Sequence, residues 1–238
     1  MRAVKSILGA LLLLAATAPL ATAQDAAWPG KPGRYVFDVI RNGSSIGTQV
    51  VEIKQQGDVL TATTESTIAV KILGLVVYRM HQMLTETYQA GRLVAVRGET
   101  VDGDGKRLAD LKREGDRWAG AYNKDARAFD CADCTATPMW NIASTGATNM
   151  IEASEGRLRR VRIVDKGIET LDLPEGKVEA HHFAVEGDIQ RDVWYDAAGN
   201  LVAAAQLGRD GSKIRQNLIS DPDGSRETTP QAADSPAP

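Results

Sequence analysis

The stretch Arg34–Lys54 (RYVFDVIRNGSSIGTQVVEIK) decides the fold class. Its apolar residues return at every second position, so Tyr35, Phe37 and Val39 share one face of an extended strand, because successive strand side chains point to opposite faces. Asn42-Gly43 then interrupts the run with a dipeptide that tolerates the positive φ angles of a tight hairpin turn. Ile46–Lys54 returns from that turn, and Gln55–Asp58 turns again into Val59–Val70, rich in β-branched residues that suit a pleated surface. The same reading covers Tyr78–Gln89, Arg92–Asp102, Lys106–Arg113 and Arg117–Asn123. Beyond an irregular middle it covers Arg157–Asp165, Ile168–Leu173, Lys177–Gly187, Ile189–Asp196, Leu201–Gly208 and Lys213–Ser220. Turn signals at intervals of about 8–12 residues, with no long 3.6-residue stripe, predict an all-β protein: an antiparallel sheet curled like a barrel or stacked as a sandwich. Short helices are expected only around Val70–Val77 and Pro138–Thr148.

The two ends of the chain read differently. Met1–Ala23 has the three parts of a secretory signal: basic Arg2 and Lys5, an apolar run Ile7–Leu20, and the small residues Ala21-Thr22-Ala23. That run is shorter than the roughly 20 residues a helix needs to span a bilayer, so cleavage near Ala23 and a periplasmic or secreted location are expected. Asp221–Pro238 holds four of the nine prolines and no large apolar residue. It cannot bury enough surface to offset the entropy of ordering and reads as a disordered tail. Residues 24–220 then form a single domain, with no transmembrane segment. The whole chain is 43% apolar and 25% charged, a globular composition. A net charge of −3 and 5% aromatic residues argue against a nucleic-acid partner.

Cys131-Ala-Asp-Cys134 is the sharpest local signal. Haem attachment requires His after the second cysteine, where Thr135 stands. An exported chain with two cysteines is expected to join them in a disulfide, with a redox pair or half of a zinc site as the other uses of this spacing. His181 and His182 are the histidines that such a metal would need, but as neighbours on a strand they face opposite ways. Gly43-Ser44-Ser45-Ile46-Gly47 matches the nucleophile-elbow pattern without the helix that gives the pattern its chemistry. Asp102-Gly-Asp104-Gly105 begins like a calcium loop and lacks the later ligands. No metal site, cofactor loop or catalytic set is assigned. The most apolar part of the mature chain, Ile72–Leu84, offers a possible apolar ligand site at Ile72, Leu75, Val77, Met80 and Met83, against the plainer reading of a buried core segment.

Pro138-Met-Trp140-Asn141 and Gly187–Leu201 (GDIQRDVWYDAAGNL), together with the opening Tyr35-x-Phe37, Asn42-Gly43 and Ile46-Gly47, resemble an exported bacterial β-rich family known as a domain of unknown function. The resemblance spans most of Arg34–Ser220. It implies an extracytoplasmic antiparallel β domain and brings no catalytic residues to carry over; the cysteine pair is not part of it. The expectation is therefore a non-enzymatic exported protein that carries an apolar or lipid ligand or supports the cell envelope. A carboxylate-based hydrolase of envelope glycans, drawing on Asp130, Asp133, Glu186, Asp188, Asp192 and Asp196, is the rival; a structural or interaction module is the third reading. A hydrolase of that kind needs two carboxyls about 5–9.5 Å apart.

Overall fold

The computed structural model describes residues 31–174 and 176–224. The expected signal segment, and all of the expected tail after Gly224, lie outside the described residues. The first four tail residues form a turn in which Pro222 packs on Gly33 and Asp223 pairs with Lys31.

The described residues fold into one 15-stranded sheet, antiparallel except for one short parallel pair. The first described strand lies mid-sheet, and the order spreads from it both ways. From β1 (Gly33–Arg41), one half runs through β2 (Ser44–Gln56), β3 (Val59–Ile72), β4 (Leu75–Gln89), β5 (Arg92–Asp102), β6 (Gly105–Glu114), β7 (Arg117–Tyr122) and β8 (Asp125–Asp130). On the other side of β1 lie β15 (Lys213–Ser220), β14 (Leu201–Leu207), β13 (Arg191–Tyr195), β12 (Gly176–Gly187), β11 (Arg157–Leu173), β10 (Asn149–Glu152) and β9 (Thr135–Ala136). Of the two anticipated arrangements this is the curled, barrel-like one.

Nearest-neighbour pairing follows from the turns. Asn42 and Gly43 have φ of 48° and 87°, so the β1–β2 hairpin closes with both central residues left-handed, which matches the twist of the strands it joins. Curvature comes from extra residues. Ile46 is bulged between β1 and β2, Val77 between β3 and β4, and Lys166 within β11, and each bulge bends and twists its strand. The sheet rolls until the β9–β10 edge lies against β5: a Cβ on Gly98 would stand 2.1 Å from the Ala153 carbonyl oxygen, so only glycine allows this approach.

The interior is one continuous core. It includes Phe37, Leu60, Val96, Leu111, Trp118, Met150, Ile151, Tyr195 and Leu218, each no more than 1% exposed. One expected helix is corrected: Val70–Val77 is the tip of the β3–β4 hairpin. Leu73 and Gly74 have φ of 48° and 79°, and the β-branched Val and Ile around them favour extended backbone over helix. Within the other expected helical stretch, Ile142–Gly146 forms a single 3-10 turn capped by the Asn141 side chain. The middle is also less irregular than expected, since Asp125–Asp130 pairs as β8 with β7. No helix of the described residues is long and apolar enough to cross a membrane.

Candidate functional site

Strand β4 organises the interior. Its inward-facing register runs Tyr78, Met80, Gln82, Leu84, Glu86, Tyr88, changing character from one end of the roll to the other. At the hairpin end the side chains are apolar and exposed: Leu73 is 98% exposed, Leu75 72%, and Ile72 and Val77 each 56%. Below them lies a cavity of about 770 Å³, within the range of roughly 300–1,000 Å³ typical of small-molecule sites. Ile68, Val70, Ile72, Val77, Met80 and Leu84 line one side of it.

Polar groups line the middle and the opposite side. Across the middle, Ser66 and Gln216 both donate to Gln49 Oε1, at 3.2 and 3.0 Å. Thr64 Oγ1, also on the lining, is buried without a partner. At the β13–β14 side the lining carries Arg41, Glu152, Arg191, Arg209 and Asp210. Arg41 pairs with Asp210, Glu152 with Arg159, and Arg209 with Glu155. Arg191 differs. It donates to the Thr137 carbonyl at 2.9 Å and to Gln206 Oε1 at 2.8 Å, while its Nε is buried with no acceptor. Burial lowers its pKa, yet a guanidinium remains protonated at neutral pH.

The far end of the roll is closed. Glu86 is 1% exposed and accepts hydrogen bonds at Oε2 from Tyr88 Oη (2.6 Å) and Trp140 Nε1 (3.0 Å), while Oε1 is buried without a partner. Desolvation raises its pKa to about 7, outweighing the two donors. Trp140 reaches this plug through the cysteine loop. Cys131 and Cys134 are joined in a disulfide, with Cα atoms 5.7 Å apart. Trp118 Nε1 donates to the Cys131 carbonyl. Met139 follows in the left-handed region (φ 51°), its carbonyl accepting from buried Tyr195. The two segments that carry the family resemblance meet here: Asn141 bridges to Asn200, and Leu201 N–H donates to the Trp140 carbonyl.

The residues singled out in the sequence separate cleanly. Ile72, Val77 and Met80 lie on the cavity lining; Leu75 sits on the exposed tip, and Met83, 41% exposed, faces outward because its register parity is opposite to Met80. Both cysteine sulfurs are used in the bond. His181 pairs with Asp165, whereas His182 pairs with Asp192 and stacks on Trp194 at 4.5 Å. The acids of the hydrolase reading serve locally: Asp130 pairs with Arg117, Glu186 with Arg162, Asp188 accepts from Arg160 N–H, and Asp196 closes its own turn. Asp133 lies exposed beside the disulfide. Asp102 is held by Arg107, whose guanidinium lowers its pKa, and Ser45 donates to Asp38. Among the described residues no cluster of three His, Cys, Asp or Glu is placed to hold a metal. Glu86 and Arg191 were not singled out in advance. Glu86 was findable, as a charged residue in register with Met80 and Leu84; Arg191 carried no signal apart from its tertiary setting.

Among solved structures, the chain is similar to a β-barrel-like protein of the domain of unknown function DUF1849 from Brucella abortus. The TM-score is 0.59 at 15% sequence identity, over 79% of this chain and 95% of that one. At that identity the likeness concerns the fold alone. A comparison with curated proteins finds no match. The family model of a domain of unknown function, DUF6134, matches residues 37–219, from the inward strand β1 to the end of β15, and the chain belongs to that family.

Proposed function

We propose that this protein carries an apolar or lipid ligand in the interior of its curled sheet, outside the cytoplasm, and that the β3–β4 hairpin is where the ligand enters. The observation that carries the reading is the continuity between exposed tip and cavity. Ile72 and Val77 belong to both, so an apolar path leads from solvent to the interior. Exposed apolar surface is costly to keep, and a contiguous patch marks an interaction site. A cavity with an apolar wall on one side and polar groups across from it suits a ligand with a hydrocarbon part. The leader-like Met1–Ala23 supports placement outside the cytoplasm, where lipids moving between membranes need a shielded path.

The test uses the protein purified from its producing cell without detergent. Organic extraction and mass spectrometry should release lipid at close to one molecule per chain, and the emptied protein should enhance the fluorescence of N-phenylnaphthylamine, a neutral apolar probe. A clean extract together with no probe binding would overturn the reading. Intact mass should also place the mature N-terminus near Gln24; a retained Met1 would overturn export.

A further inference from the structure

We propose that Arg191 is a headgroup anchor, and that the ligand is therefore an acidic amphiphile, with an apolar tail and a carboxylate or phosphate head. The inference rests on the carrier reading and narrows it. Each other charge on the cavity lining has a partner of opposite sign: Arg41 with Asp210, Glu152 with Arg159, Arg209 with Glu155. Arg191 hydrogen-bonds only to neutral acceptors, one carbonyl and one amide oxygen, and the carboxylate that acts on it through space, Glu152, is already bonded to Arg159. A guanidinium offers five N–H donors. Two are used here, and the buried Nε is among the three that are not.

A half-buried guanidinium with a buried, unpartnered Nε and no carboxylate hydrogen-bonded to it gains when something completes it. An anionic group entering the cavity would do so, and the planar guanidinium matches the two oxygens of a carboxylate or phosphate. The bonds to Thr137 and Gln206 hold the side chain in place before any ligand arrives, which lowers the ordering cost of binding. Thr137 and Pro138, on the same lining, come from the loop that the disulfide begins. The apolar wall of β3 and β4 is then left for the tail.

Displacement of N-phenylnaphthylamine by dodecanoate, dodecyl phosphate and dodecanol tests this at pH 8. The two anions should displace the probe at concentrations about tenfold or more below that of the alcohol, the size expected for a charge-assisted bond in a shielded site. Arg191→Gln should abolish that preference while leaving dodecanol unchanged, and Arg191→Lys should retain part of it. Equal displacement by acid and alcohol in the unaltered protein, or a preference that survives Arg191→Gln, would overturn the anchor and leave the carrier reading standing. If the probe does not bind and the organic extract is clean, both fall; if the probe does not bind but lipid is extracted, an acidic lipid in the extract supports the anchor and a neutral one overturns it. Should Arg191→Gln not fold, the acid-to-alcohol ratio of the unaltered protein and of Arg191→Lys decides.

Discussion

The two ends of β4 lie in one strand, yet they obey opposite rules. Leu75–Tyr78 is apolar and exposed, whereas Glu86 is charged in type and buried beneath Tyr88 and Trp140. A protein optimised for stability alone would exchange them. The inversion teaches where the molecule is open and where it is shut. Apolar residues are tolerated in water at the hairpin because the roll opens there, and a polar residue is tolerated inside at the far end because two aromatic donors meet it.

The largest expected effect lies at the closed end. Trp118 is 0% exposed and packs where β7 meets the cysteine loop; Trp118→Ala should cost about 3–5 kcal/mol in urea denaturation. A loss below about 1 kcal/mol would mean that the closed end is not the stable part of the roll.

Glu86 gives the next effect, with a sign that depends on pH. Its folded pKa of about 7 lies above its ordinary 4.5. As pH rises between those values the unfolded chain gives up the proton first, so stability is fully present below about 4.5 and is lost as pH approaches about 7. The loss amounts to about 3–4 kcal/mol at roughly 1.4 kcal/mol per unit. Glu86→Gln keeps an acceptor for Tyr88 and Trp140 and cannot ionise. It should match the unaltered protein at pH 4.5 and exceed it by about that amount at pH 8. Parallel stability-pH curves for the two proteins would refute the buried-acid account.

The disulfide should matter less. It closes a loop of only four residues, for which chain entropy alone predicts about 2 kcal/mol. The double variant Cys131→Ser, Cys134→Ser, compared by urea midpoint, distinguishes a simple loop constraint from a support for the Trp140 plug; a loss above about 4 kcal/mol would favour the support.

At the open end the stability effect should be smallest. Leu73 touches solvent on nearly all of its surface, so Leu73→Ser should shift stability by less than about 0.5 kcal/mol while slowing probe uptake. A destabilisation above 1 kcal/mol, taken as roughly twice the usual surface range, would show that the tip is packed against something, and the contrast between the two ends would fail.

Much of the fold was legible because it is built from nearest-neighbour hairpins. The alternation of Tyr35, Phe37 and Val39, the Asn42-Gly43 turn and the β-branched Val59–Val70 each specify strand and turn from a few adjacent residues. The same local logic placed the cysteines, three residues apart, within reach of each other. It failed at Val70–Val77, where an apolar run too short to show a period was read as helix, although Leu73-Gly74 forms a hairpin turn. Of the candidate ligand residues, parity alone would have separated Met80 from Met83, and the bulge at Val77 would have defeated parity for its neighbours.

Local pattern determined that the chain would be a long antiparallel run of strands with its apolar stripe on one face. Only tertiary structure decided that the sheet rolls onto β5 through Gly98, that the roll closes over Glu86 and stays open at Leu73, and that Arg191 hydrogen-bonds to neutral acceptors alone. The physical reason is range. Strand and turn preferences are set within about four residues, whereas curvature accumulates over fifteen strands, and the partners of a half-buried guanidinium are groups such as the Thr137 carbonyl, which lies 54 positions away along the chain.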